Sequence, residues 1–173
     1  LATTLGGEAF QVSTVEHCLS ALAAFRIDNL FIELDGSEIP IGDGSAKVFL
    51  DALLSAGMVE QEQPRKYAYI DQNIYYGTEE KHAYVVPYNG LRVTCTIEFP
   101  HPKIGRQVLD IDINEHSFSR ELSRARTFGF LKDVEALRAR GLARGGTLDN
   151  AIVLDEEEII NPEGLRYADE FVR

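Results

Sequence analysis

Tyr88-Asn89-Gly90-Leu91-Arg92-Val93-Thr94-Cys95-Thr96-Ile97-Glu98-Phe99 is the stretch that decides the fold class. Leu91, Val93, Cys95, Ile97 and Phe99 alternate strictly with Arg92, Thr94, Thr96 and Glu98. A period of two puts one set of side chains on one face of a strand, so one face of residues 91–99 is expected to be buried. Asn89-Gly90 is a strong short-range turn signal, because both residues tolerate positive φ. It predicts a hairpin joining residues 81–88 to residues 91–99.

Strand patterns continue on both sides of this stretch. Residues 67–76 read as a strand followed by a turn at 77–80, and residues 107–113 as a further strand. Two helices are expected at about 117–125 and 130–140, the second ended by Gly141. Residues 151–154 read as a last strand, and a helix is expected to begin near Ala168. Sheet and helices in this order predict an α+β arrangement for residues 67–173.

Before residue 60 the period changes. Val15, Leu19, Leu22 and Ala23 recur at helical spacing, which predicts an amphipathic helix over 14–25. Residues 29–34 are short, apolar and partly β-branched, and read as a strand. Glu38-Ile39-Pro40-Ile41-Gly42-Asp43-Gly44-Ser45 is turn chemistry. Ser45 can cap a second helix carrying Phe49, Leu50, Leu53 and Leu54, with Gly57 at its C-terminal stop. The polar residues 61–66, with Pro64, read as a linker between a first unit (1–60) and a second (67–173).

Composition bounds the function. The chain has 173 residues, 45% hydrophobic and 26% charged, a globular mixture. No apolar run reaches the roughly 20 residues that span a bilayer. The formal net charge of −11 disfavours nucleic acid and anionic membrane surfaces as partners. Arg120, Arg124, Arg126, Lys132, Arg138, Arg140 and Arg144 nevertheless cluster. They read either as solvated helix faces or as a local positive field for an anionic ligand. Cys18 and Cys95 lie in apolar patterns and suggest reduced core residues, which makes a cytoplasmic setting the default. The only methionine is Met58. Leu1 is therefore not a start residue, and the chain reads as an internal fragment.

Thr14-Val15-Glu16-His17 carries the chemistry. It sets a carboxylate beside an imidazole at a helix start. A metal hydrolase needs a neutral histidine as ligand and a carboxylate to take a proton from the attacking water. The structural alternative is a capping box, in which Ser13 and Glu16, at S-x-x-E spacing, satisfy only backbone N–H groups.

Several further motifs converge with this one. They are Ile27-Asp28-Asn29, Glu38-Ile39-Pro40-Ile41-Gly42-Asp43-Gly44-Ser45-Ala46, Ser123-Arg124-Ala125-Arg126-Thr127-Phe128-Gly129-Phe130, Arg140-Gly141-Leu142 with Gly145-Gly146, and Glu170-Phe171-Val172-Arg173. In that order and at those intervals the chain closely resembles the UDP-3-O-acyl-N-acetylglucosamine deacetylase family, commonly called LpxC, across essentially its whole length.

The resemblance implies two similar α+β units with helices sandwiched between two sheets, incomplete here at both ends. It implies one zinc ion per complete chain. The reaction it implies is hydrolysis of the N-acetyl group of UDP-3-O-acyl-N-acetylglucosamine, the committed step of lipid A biosynthesis. Glu16 matches the general base and His17 a zinc ligand. Thr127 matches a threonine that stabilises the tetrahedral oxyanion, a role suited to a hydroxyl donor. It is equally a candidate helix cap or turn residue.

Phe99 matches an aromatic that stacks on uracil, though its place in the alternation also suits a core residue. Phe128, Phe130, Leu131, Val134, Ala143 and Gly146 fall in the family's inserted unit, around 128–155, which lines the acyl channel. A helix packed on a sheet would show the same apolar stripe. In the family the second zinc histidine, a lysine and the zinc aspartate follow Glu-Phe-Val-Arg directly, with a further histidine beyond. Here they are expected after Arg173. Neither His82 nor His116 has a family match, and His101 lies in a Phe-Pro-His-Pro loop near the nucleotide. The alternative from another class is a truncated, non-catalytic scaffold of the same fold that binds a nucleotide sugar or a partner.

Overall fold

Two helices anchor the first third of the chain in the computed structural model, which describes residues 2–134 and 145–173. A short antiparallel pair, β1 (Thr4–Gly6) and β2 (Gln11–Ser13), leads into α1 (Glu16–Ala24). The second helix, α2, spans Lys47–Ala56. The Ser45 hydroxyl accepts the Lys47 N–H at 3.2 Å, so it satisfies one of the free donors at the helix start. Gly57 closes α2 at φ 76°, as its position predicted.

The buried stripe of α1 differs from the expected one. Cys18, Ala21 and Ala24 face inward with Val15 and Phe25, whereas Leu19 is 41% exposed. Small residues let α1 lie close to α2. Ala21, Ala24, Phe25, Ala46, Leu50 and Phe118 form one core cluster. Since Phe118 lies beyond the predicted linker, this core draws on both sides of it.

Residues 29–34 are not a strand. Leu30, Phe31, Ile32 and Leu34 are all exposed. The pairing position beside β2 is taken further along the chain. Ser13 N–H donates to Ser37 O at 2.9 Å, and Ile39 N–H donates to Ser13 O at 3.0 Å. A strand needs a ladder partner for its backbone groups, and residues 37–39 win it.

The hairpin expected at Asn89-Gly90 is also not formed. β3 (Ile74–Gly77) pairs antiparallel with β4 (His82–Val85), while β5 (Arg92–Phe99) pairs antiparallel with β6 (Gly105–Asp112) over its full length. The turn that closes a hairpin on β5 is therefore the one at its other end, where Ile104 and Gly105 N–H groups both donate to His101 O. The alternation in β5 is visible from Cys95 onward: Cys95, Ile97 and Phe99 are half-buried, and Thr94, Thr96 and Glu98 exposed. Residues 67–73 are irregular, so the strand read at 67–76 shrinks to β3.

The helix expected at 117–125 starts earlier. Asn114 caps α3 (Glu115–Ser117) by accepting the His116 and Ser117 N–H groups, both at 3.0 Å. Residues Phe118–Leu122 continue as a wider π-helical turn, closed by Ser123 N–H on Phe118 O at 2.8 Å. Most of the helix read at 130–140, and Gly141, lie outside the described residues; residues 131–134 are helical. Near the C-terminal end, the helix expected from Ala168 is a single 3-10 turn, Glu170–Val172.

A parallel pair, β7 (Phe128–Phe130) and β8 (Ile152–Leu154), completes the described elements. Ile152 and Leu154 are fully buried with Ile104 and Phe171 in a second core cluster. Burial of each such side chain contributes about 1.5–3 kcal/mol. The fold is thus mixed helix and strand with small sheets, an α+β chain.

Candidate active site

Glu16 and His17 occupy the first turn of α1, and the backbone before them is unusual. Thr14 sits at φ 59°. A β-branched residue in the left-handed region is costly. It is held there by burial and by its hydroxyl, which donates to a Glu38 carboxylate oxygen. The Ser13–Glu16 capping box is absent: Glu16 Oε2 instead accepts the Thr3 N–H at 3.1 Å.

His17 is half-buried. Burial lowers its pKa below the ordinary histidine range, and the Glu16 and Asp43 carboxylates act in the opposite direction without cancelling it. The neutral imidazole, the form that ligates metals, is therefore favoured. Asp43 itself is held as a carboxylate. Its partial burial raises its pKa, but hydrogen bonds from Ser45 and the Arg166 guanidinium outweigh this and lower it overall. The Ser45 hydroxyl donates to Asp43 Oδ1 at 2.7 Å and Arg166 Nη1 to Oδ2 at 2.8 Å.

The same loop reaches Thr127. Thr127 N–H donates to Gly44 O at 3.0 Å, and its own carbonyl accepts the Ile152 N–H at 2.8 Å. Gly44 lies against Asn150 so closely that a Cβ on it would meet Asn150 O at 1.8 Å. The loop at 43–45 therefore joins Thr127, whose side chain is exposed, to the carboxylate that acts on His17.

A second locus gathers four phenylalanines, Phe99, Phe128, Phe130 and Phe171. Phe99 packs edge-on to Phe128 at 5.5 Å between ring centroids and lies 6.0 Å from Phe130. Phe128 in turn packs on Phe171 at 5.2 Å, on the core side. Phe99, Phe130 and Leu131 line a cavity of about 510 Å³ with His101, Lys132, Leu154, Asp155 and Glu156. Val134 and Gly146 are not among its lining; Val134 packs near Gly129. Ala143 lies outside the described residues.

His101 is buried and both its ring nitrogens are engaged. Nδ1 accepts the Lys103 N–H at 3.2 Å, which leaves Nε2 to donate to Asp155 O at 3.1 Å. It braces the cavity wall and has no ring nitrogen left for a metal. Among the described residues no group of three or more His, Cys, Asp or Glu is placed to hold a metal ion. Among them, too, no helix is long and apolar enough to cross a membrane.

Sequence reasoning assigned no role to Asp43, Arg166 or Glu170, and read Arg126 only within a basic cluster, as a solvated or anion-facing charge, whereas it is buried; all but Arg166 lie in the quoted motifs. Arg126 and Glu170 form a buried ion pair 44 positions apart. The available signal was chemical: an arginine two residues before Phe128 and a glutamate directly before Phe171 need a partner if buried.

The model of one family, "LpxC: UDP-3-O-acyl N-acetylglycosamine deacetylase", matches residues 1–173. Proteins named UDP-3-O-acyl-N-acetylglucosamine deacetylase are close relatives. That of Bdellovibrio bacteriovorus is 71% identical over 171 residues, covering 99% of this chain and 57% of the relative. Those of Myxococcus xanthus and Nitratidesulfovibrio vulgaris are 53% and 52% identical over 173 residues, covering all of this chain and 55% and 56% of the relatives. The chain thus spans about half the length of these relatives. It belongs to the LpxC deacetylase family.

Proposed function

We propose that this chain is the Glu16–His17 portion of a zinc-dependent deacetylase. The whole protein would act in the cytoplasm on UDP-3-O-acyl-N-acetylglucosamine, giving acetate and UDP-3-O-acyl-glucosamine in lipid A biosynthesis. The observation that carries this reading is the link through the 43–45 loop between the Glu16–His17 turn and Thr127, in a chain of this family.

In this reading the chain contributes one zinc ligand, His17, and the rest come from the part of the relatives' length that it does not span. The donor chemistry suits the ion: a half-buried imidazole biased to its neutral form, with the Glu16 and Asp43 carboxylates acting on it. Zinc when bound would lower the pKa of water and polarise the amide carbonyl. Glu16 accepts the proton of the water that adds to the acetamide carbon. Thr127 donates its hydroxyl to the oxygen on which charge develops. The C–N bond then breaks as the nitrogen takes up the proton that Glu16 accepted from water, giving the sugar amine and acetate.

Two sets of side chains take the substrate's two extremities. Phe99 stacks on uracil. Phe128, Phe130, Leu131, Val134, Ala143 and Gly146, within an insertion around 128–155, guide the acyl chain. The units 1–60 and 67–173, joined by 61–66, belong to a fold in which helices lie between two sheets.

Phe99→Ala in the full-length protein tests the substrate assignment. Loss of stacking should weaken UDP binding by roughly 1–3 kcal/mol. An acyl hydroxamate lacking uridine should bind as before. Because Phe99 also touches Phe128 and Phe130, a modest fall in melting temperature is expected. Parallel loss of UDP affinity, hydroxamate affinity and stability would instead make Phe99 a core residue only.

A further inference from the structure

The Arg126–Glu170 pair belongs to a closed circuit. Arg126 Nε and N–H each donate to Glu170 Oε1 at 3.0 Å, and Nη2 donates to Oε2 at 3.2 Å. Both side chains are buried, at 1% and 0% exposure. Glu170 Oε2 also accepts the Arg166 N–H. Arg166 Nη1 donates to Asp43 Oδ2 at 2.8 Å and to Arg124 O at 3.0 Å. Asp43 is bonded to Gly44, whose carbonyl accepts the Thr127 N–H at 3.0 Å, and Thr127 is bonded to Arg126. Three chain segments far apart in sequence are thereby locked around one threonine.

A buried ion pair is weak evidence for stability, because well-packed apolar replacements are often as stable or more so. What this one supplies is direction. The guanidinium fork fixes orientation as well as distance, and every Arg126 nitrogen is used, Nη1 on Glu163 at 2.7 Å. Backbone hydrogen bonds hold Thr127 on both sides, to Gly44 and to Ile152. The circuit leaves its exposed side chain as the part not tied into it.

We infer that Arg126, Glu170, Arg166 and Asp43 form a positioning circuit that holds the Thr127 hydroxyl at a fixed place relative to Glu16 and His17. This rests on the reading of Thr127 as the oxyanion donor. Displacement of a reacting group by about 1 Å can cost about 10²-fold in rate, so the effect should appear in kcat.

The test is a double-mutant cycle in the full-length protein between Arg166→Met and Thr127→Ala. Arg166→Met opens the circuit at its most exposed link, leaving Asp43 hydrogen-bonded to Ser45. It should lower kcat about 10-fold, with KM, zinc content and melting temperature near wild type. Arg166→Lys, which can still reach Asp43, should recover part of the loss. Thr127→Ala should lower kcat about 10²–10³-fold. With the hydroxyl gone its placement no longer matters, so Arg166→Met should add no further loss in that background. Multiplying losses, or loss of zinc with Arg166→Met, would overturn the proposal. So would wild-type kcat in the folded variant. If Arg166→Met does not fold, Arg126→Lys, which keeps the charge but not the fork, is read in the same cycle with the same criteria. Wild-type kcat in Thr127→Ala would instead remove the oxyanion reading itself, whatever Arg166 does.

Discussion

Glu16→Gln in the full-length protein is expected to keep its zinc and its fold while losing about 10²–10⁴-fold in turnover, the usual contribution of a general base. The two side chains have the same shape. Glutamine's carbonyl oxygen can still accept the Thr3 N–H that Glu16 accepts at 3.1 Å, so the start of α1 should survive. The amide cannot take a proton from water, and this is the one property removed. The loss should therefore fall on kcat, with zinc stoichiometry and melting temperature near wild type. Near-normal turnover in a folded variant would reduce Glu16 to a tether for the N-terminal strand.

The second large effect is on stability. Gly44 has φ 79°, and a Cβ there would lie 1.8 Å from Asn150 O and 2.5 Å from Asn150 C. The obstacle is backbone and cannot swing aside. Gly44→Ala combines a left-handed residue, about 1–2 kcal/mol, with overpacking, about 1–3 kcal/mol. Either the 145–150 turn or the Gly44–Thr127 hydrogen bond must shift. Gly36→Ala is the control, since nothing lies within 4 Å of its Cβ position. Denaturant unfolding should show a loss of about 2–5 kcal/mol for Gly44→Ala and little for Gly36→Ala. Equal stability of the two variants would contradict the close approach.

Local pattern carried the elements whose stability is local. The helices α1 and α2, the strands β5, β6 and β8, and the Gly57 stop were legible because periodicity and caps act over a few residues. What failed was competition for partners. Residues 29–34 have strand composition, yet residues 37–39 take the pairing position beside β2. Asn89-Gly90 has turn chemistry, yet β5 is paired along its whole length with β6. The inward face of α1 follows Cys18, Ala21 and Ala24 because α2 packs closely there. None of these three choices is written in a short window.

The candidate site shows the same division. Glu16 and His17 could be picked out as neighbours with complementary chemistry. Phe99 and Phe130, singled out for different ends of the substrate, line one cavity, a proximity their separate motifs did not announce. Asp43 and the Arg126–Glu170 pair were invisible as partners, because their contacts span tens to more than a hundred residues. Thr14's left-handed backbone was equally hidden, since it depends on a hydrogen bond to Glu38.

Acetate release from UDP-3-O-acyl-N-acetylglucosamine by the full-length wild-type protein, before chelation, after chelation and after zinc is returned, tests the central claim most directly. The account predicts acetate and free amine in equal amounts, loss of both on chelation, and recovery with zinc. A zinc-loaded, folded protein that binds the nucleotide sugar but releases no acetate would contradict it and leave a binding scaffold of the same fold.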